Sequence, residues 1–464
     1  MRSLATLFLF ALSIAAAAQS PDWNTVNAEA LLHYQALIRI DSTDPPGNET
    51  HVVEYVKKVL EAEGIAVIIT ASDPNRANLI ARIKGNGSKK PLMIMGHTDT
   101  VKVDPAKWIF PPFSATRKDG YIYGRGTLDD KDNLTTAMMT MVLLKRAKVK
   151  LDRDVIFVAE AGEEAATLPG IEHLIGENWK DIDAEICLAE GGSVSRRNGQ
   201  VRYAMVQTAE KLPKGAKLIA RGPAGHGSRP LRTSAVLHLS RAVERAAMWD
   251  PPMRLNDTTR YYFERLATVS SPEEAARYNG LMNPEKSASI REYLAEHEPG
   301  SYSMLHTSIS PNIISAGYQV NVIPSEAEAT LDIRALPDED MPAFLEMLRK
   351  VINDPAVEVV PNTRNSRPVA PPSSITSEAF NAIEAANRKI YKAITLPTMS
   401  TGATDMAFLR ARGVQCYGIG PMIDEEDAPK GFGAHSDQER ILEEAFYKFL
   451  QFNWEIVTSL AASK

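Results

Sequence analysis

Short apolar runs that stop on a histidine or a carboxylate recur along this chain. His97 closes PLMIMGHTD, Glu163 and Glu164 close VIFVAEAGEE, and Glu190 closes AEICLAEGG. Asp129 stands in YGRGTLDDKD and His435 in FGAHSD. Runs this short and this apolar fit strands buried on both faces. Strands are expected at 65–70, 78–83, 92–95, 155–159 and 186–189. Helical spacing lies between them: Leu31, Leu32 and Leu37, then Val52, Val53, Val56 and Leu60, recur at three- and four-residue steps, and 134–148 reads as a helix. The alternation specifies an α/β sheet with helices on both faces, and such sheets gather functional groups at the carboxyl ends of their strands.

The 464 residues exceed one average domain. From Lys211 the character changes to strand KGAKLIARG, loop GPAGHGSRP and helix TSAVLHLSRAVERAAMW. A polar, Tyr-rich stretch follows from 250 to 311, then strands GYQVNVIP and EAEATLDIRAL and helix MPAFLEMLRKVI. That is a smaller α+β domain inserted in the first. The expected boundaries are 1–18, 19–210 and 211–367, with the first domain resuming over 368–464.

The leader MRSLATLFLFALSIAAAAQS has a positive residue, an apolar run and an A-x-A signal at Ala16, Ala17 and Ala18. It is the three-part pattern of a secretory signal peptide, so a secreted or periplasmic protein without a stable membrane anchor is expected. The net charge of −6, with no basic run, argues against nucleic-acid binding. Cys187 and Cys416, the only cysteines, sit in apolar runs and read as buried strand residues, with a bridge between them left open.

Each candidate residue has a bland reading beside the functional one. His97 alone would be a satisfied core histidine. Two residues on, Asp99 faces the same side of the strand and can take the second ring N–H of His97, which fixes a metal-binding tautomer. Asp129, before a helix, could be a simple cap. Glu163 and Glu164 could be a solvated pair, or one could hold metal while the other moves protons. Emergence of His97, Glu164 and Glu190 at one sheet edge favours the joint metal reading. Imidazole nitrogen and carboxylate oxygen are zinc donors, and two metals about 3.5–4 Å apart clamp a nucleophile and the oxygen beside it.

GHTDTV, GRGTLDDKD, AGEEAA, LAEGG and GAHSDQE occur in the order found in the aminoacylase, succinyl-diaminopimelate desuccinylase and glutamate carboxypeptidase family of co-catalytic di-zinc hydrolases. The resemblance extends to GPAGHGSRP, NVIPSEAEATLDIRALP and STGATD, over nearly the whole chain after the leader, and is nearest the larger carboxypeptidase S-like branch. It implies a catalytic domain with a mixed sheet flanked by helices and a smaller lid used for dimerisation. It implies two Zn2+ ions, with Co2+ or Mn2+ suited to the same ligands. One ion would lie on His97, Asp129 and Glu190, the other on Asp129, Glu164 and His435. Glu163 would be the general base, Asp99 the orienter of His97, and His226 the oxyanion-stabilising histidine, often supplied across a dimer. Asn321 and Arg334 lie where the family holds the substrate carboxylate. Gly402, Ala403 and Thr404 lie where its backbone borders the substrate. A surface pairing of Arg334 with Asp332 or Glu328 stays open.

Two positions depart from the family pattern: Asp132 stands where Gly is usual, and Gly162 where Asp is common. The 250–311 stretch is expected either to enlarge the lid and line a substrate or dimer surface, or to be a plain surface elaboration. The resemblance implies hydrolysis of an amide or peptide bond beside a residue with a free carboxylate, as in a carboxypeptidase or dipeptidase. An N-acyl-amino-acid amidohydrolase is the rival, since the same site serves both. A catalytically retired metal-binding protein is the remote alternative, and the intact Glu163 argues against it.

Overall fold

A computed structural model describes residues 21–362 and 367–463. The expected signal peptide at 1–18 lies outside the described residues. Among these no helix is long and apolar enough to cross a membrane.

The larger unit is built on a ten-stranded mixed sheet. At its centre Val155–Glu160, Leu92–His97, Ile186–Ala189 and Gln415–Gly418 run parallel, side by side. Val67–Thr70 and Asn78–Ile83 add antiparallel strands on one flank. Gln200–Glu210, Ser193–Arg197, Met422–Asp424 and Ile394–Ser400 complete the other. Alternation along the central strands serves two cores. Ile94, Phe157 and Leu188 pack with the helices Lys131–Arg146, Glu378–Ile390 and Glu443–Ala461. Met93, Ile156 and Cys187 face the opposite layer, with Leu174, Ile182 and Met406. Burial on both faces is why these strands are continuous apolar runs. Cys187 and Cys416 are direct neighbours in register, and both are buried free thiols.

The chain enters a second, four-stranded antiparallel sheet at Leu212–Arg221. Ser308–Ala316 and Val357–Asn362 form its edges, and Glu326–Ala335 lies inside. Its apolar face is covered by Ala235–Met248 and Met341–Ile352.

The 250–311 stretch corrects one expectation. It forms the helices Asp257–Ala267, Pro272–Gly280, Pro284–His297 and Pro299–Ser303, and these do not enlarge the small sheet. Tyr262, Phe263, Leu266 and Tyr278 are buried with Leu396, Met399 and Ala209, so the helices seal the flank of the large sheet. None of its residues borders the cavity described next.

Candidate active site and metal centre

His97 is the last residue of its strand, in register with Glu160, so the polar groups that follow both strands emerge together. The chain turns at Gly162, with φ +74° and the space for a Cβ only 2.3 Å from the Ala166 carbonyl oxygen. A glycine suits that turn. Asp99 sits fully buried beneath it. Its Oδ1 accepts the Glu163 N–H at 3.2 Å and its Oδ2 the Glu164 N–H at 3.0 Å. The Nδ1 of His97 lies 3.1 Å from the Asp99 carbonyl and 3.3 Å from Oδ1. One carboxylate thus fixes both the imidazole and the backbone of the glutamate pair.

Asp129 points its two oxygens at two histidines. Oδ1 is 2.9 Å from His97 Nε2, and Oδ2 is 3.0 Å from His435 Nε2. His435 Nε2 is also 3.0 Å from Glu164 Oε2. Ligand atoms of His97, Asp129 and Glu164 lie within 4.8 Å of one another, as do those of His97, Glu163 and Glu190. The loops are tied by Glu439, whose buried carboxylate accepts the Leu128 N–H at 2.6 Å and pairs with Arg125 Nη1 at 2.6 Å. Behind His97, the carboxylate of Asp130 accepts its N–H at 3.1 Å.

The electrostatics follow from packing many carboxylates away from water. Burial pushes Glu163 and Glu190 well above the usual carboxylate range, and neighbouring acids add to it. Burial also opposes the charge on Asp129, but hydrogen bonds from His435 and His97 outweigh it and hold Asp129 low. The same bonds, to Asp129 and Glu164, raise His435 to about 10. Protons on the imidazoles therefore balance the carboxylates in the protein alone, the place a pair of cations would take. The donor chemistry fits such a pair: imidazole and carboxylate ligands, one carboxylate offering an oxygen to each side, and a histidine held from behind by Asp99.

A cavity of about 1010 Å3 opens over these groups. Arg334, Gly402, Ala403 and Thr404 border it, as does Arg367, which the sequence did not suggest. Arg334 is already paired through Nε and Nη2 with Asp332, at 3.0 and 3.1 Å. His226 and Asn321 are not brought to the cavity. His226 lies in a two-stranded ribbon on the smaller unit and Asn321 just precedes its second strand, the two segments joined by the Gly227 N–H to the Asn321 carbonyl at 2.8 Å. His226 is exposed there, with Nδ1 2.7 Å from Ser228 Oγ. A second, mostly apolar cavity of about 420 Å3 shares Asp129, Glu190 and Gly191 with the first. Asp132 borders it, buried, with both carboxylate oxygens lacking a hydrogen-bond partner among the described residues.

The model of peptidase family M20/M25/M40 matches residues 93–458. The chain belongs to this family. It is a hydrolase of peptide or amide bonds. Among its relatives, the N-fatty-acyl-amino acid synthase/hydrolase of Xenopus tropicalis is 26% identical over 417 residues, covering 87% of this chain and 79% of that protein. A probable carboxypeptidase S-like protein of Dictyostelium discoideum is 26% identical, over 82% of this chain and 74% of that one. The fold is shared with an M20 family metallo-carboxypeptidase from Sulfolobus solfataricus, with a TM-score of 0.70 and 21% identity over 93% of this chain and 99% of that one.

Proposed function

We propose that this protein is a di-metal hydrolase that cleaves an amide bond next to a residue bearing a free carboxylate. The observation that carries it is Asp129, whose two oxygens face His97 and His435 while Glu163 stands beside the cluster. His97, Asp129 and Glu190 would hold one ion, and Asp129, Glu164 and His435 the other. Zinc is the proposed metal. When bound, the pair supplies an acidified water and a Lewis-acid contact for the carbonyl oxygen.

The chain's own groups do the rest. Glu163 takes a proton from the attacking water and returns it to the leaving amine nitrogen. Asp99 keeps His97 in place and sets the turn that aims the glutamates. The Arg334 guanidinium receives the substrate carboxylate, with Asp332 sharing its fork. Gly402, Ala403 and Thr404 line the substrate's path.

His226 and Asn321 act in this reading through a second copy. Support comes from the Ser308–Ala316 edge strand, which exposes Ile313 and Ile314 at 61% and 62%. Pairing of two such edges makes a homodimer and would let the ribbon of one subunit reach its partner's cavity. I313K with I314K is expected to give monomers by sedimentation and to lose turnover as H226A does. Dimers that persist with full activity would refute this. Export is proposed from the leader pattern, and sequencing the N-terminus of protein recovered outside the cytoplasm checks for cleavage near Ala18.

The second cavity favours one other reading, an N-acyl-amino-acid amidohydrolase with an apolar acyl chain. A panel of dipeptides and N-acyl amino acids, run on zinc-loaded protein with E163A alongside, separates the two. Turnover confined to one class and lost in E163A selects it. With metals bound, turnover of neither class would overturn both.

A further inference from the structure

Arg367 lies where the chain returns from the small sheet to the large unit, just beyond Val357–Asn362. Its side chain is only 11% exposed. Nη2 is 3.0 Å from Glu163 Oε1, and Nη1 is 2.6 Å from Asp405 Oδ1. Its carbonyl accepts Lys214 Nζ at 3.2 Å, from the strand by which the chain enters the small sheet. Both crossings between the two units therefore converge on this residue.

The contact matters because of what else surrounds Glu163. Its other charged neighbours are the acids Asp405, Glu164 and Glu190, together with the metal-ligand candidate His97. Arg367 is the sole hydrogen-bond partner of the Glu163 carboxylate among the described residues, and it engages Oε1 alone. Among the described residues Asp405 has no other side-chain hydrogen-bond partner, and its Oδ2 is buried and unsatisfied. A planar guanidinium can give one N–H edge to each of two carboxylates, which an ammonium on a flexible stem does less well. Repelled by Asp405 and unheld, Glu163 would turn away from the reacting atoms.

We propose that Arg367 is a positioning residue for Glu163: it pins Oε1 against Asp405 so that Oε2 stays directed at the water being deprotonated, and it ties that placement to the crossings between the two units. This rests on Glu163 being the general base. The test is steady-state kinetics of R367A, R367K, E163Q and the E163Q/R367A double variant, with metal content and thermal melting recorded for each. A misplaced catalytic group costs about 100-fold, so R367A is expected to lower kcat by roughly that factor with KM changed less than about twofold. The loss should be equal for substrates with and without a free carboxylate, and both metals should remain. Added guanidinium ion should restore part of it, and R367K should fall between R367A and wild type. In the E163Q background R367A should cost nothing more.

A rise in KM confined to carboxylate-bearing substrates, with kcat unchanged, would overturn the inference and make Arg367 a substrate contact. An additional loss in the double variant would overturn it as well, since a merely structural residue acts with or without Glu163. Should R367A fail to fold, R367K carries the test: wild-type kcat in a folded R367K refutes the need for the fork. E163Q with full turnover would remove the base itself, whereas an inactive E163Q beside an unimpaired R367A would remove only the role of Arg367.

Discussion

Asp99→Asn tests whether one buried carboxylate holds the site together. In the native protein Asp99 accepts the N–H groups of Glu163 and Glu164 through separate oxygens and faces His97 Nδ1. Burial works against its charge, yet the His97 contact and the Glu164 N–H hold its carboxyl below the usual range. Asparagine keeps the shape, but it accepts through a single oxygen and turns an NH2 toward the second N–H. Losing a charge-assisted bond and orphaning a buried N–H comes to about 2–4 kcal/mol. At about 1.4 kcal/mol per tenfold, that is roughly 30- to 1,000-fold. Partners behind metal ligands typically contribute about 10- to 100-fold in affinity or activity, so the overlap, about 30- to 100-fold, is the expected loss. Calorimetric zinc titration and kcat/KM on one dipeptide read it directly. Wild-type zinc affinity together with kcat/KM within about threefold of wild type would refute the reasoning.

His435→Ala should lower the bound metal from two ions per chain to one by elemental analysis, because His435 contacts only the Glu164 side of Asp129; two retained ions would sink its assignment. In the metal-free protein His435 is raised from 6.5 to about 10 by Asp129 and Glu164. It therefore carries a proton at pH 7 that a metal must displace, and apparent metal affinity should climb as pH rises toward about 10. Titrations in buffers of different ionisation enthalpy should show proton release, and its absence would disprove the coupling. Phe263→Ala empties a site 3% exposed, next to Tyr262 and Tyr278. Its thermal or denaturant stability should drop by about 3–5 kcal/mol with KM unchanged, and a large KM change would show that the helical segment reaches substrate after all.

The strands that deliver the site were legible because burial on both faces leaves no polar residue in them until their last position, as at His97 and Glu160. The helices beside them were legible from their three- and four-residue apolar steps. Several strands were not, Ser308–Ala316 and Ile394–Ser400 among them. Ser308–Ala316 carries Pro311 at a register shift and turns Ile313 and Ile314 to solvent, so no alternation survives. Ile394–Ser400 has Pro397 at its middle, tolerated because the strand pairs on one side only, with Gln200–Glu210. The helices from 257 to 303 are short and polar outside the few residues they bury. Their start signals, such as the reciprocal Ser271 and Glu274 cap bonds, emerge only in the structure. Among site residues, the side chains following the strands were readable in series. Arg367 was not, because a lone arginine in a polar, proline-containing stretch has no periodicity or motif. Its role exists only where the return crossing meets Glu163. His226 and Asn321 show the converse, a recognisable motif that a single chain does not bring to its own cavity.

The most direct measurement is turnover of zinc-loaded wild type and E163Q on dipeptides and N-acyl amino acids, with bound metal counted in the same samples. Two ions in each protein and turnover in the wild type alone is the expected result. An E163Q protein that holds both ions and hydrolyses these substrates at the wild-type rate would contradict a mechanism built on Glu163.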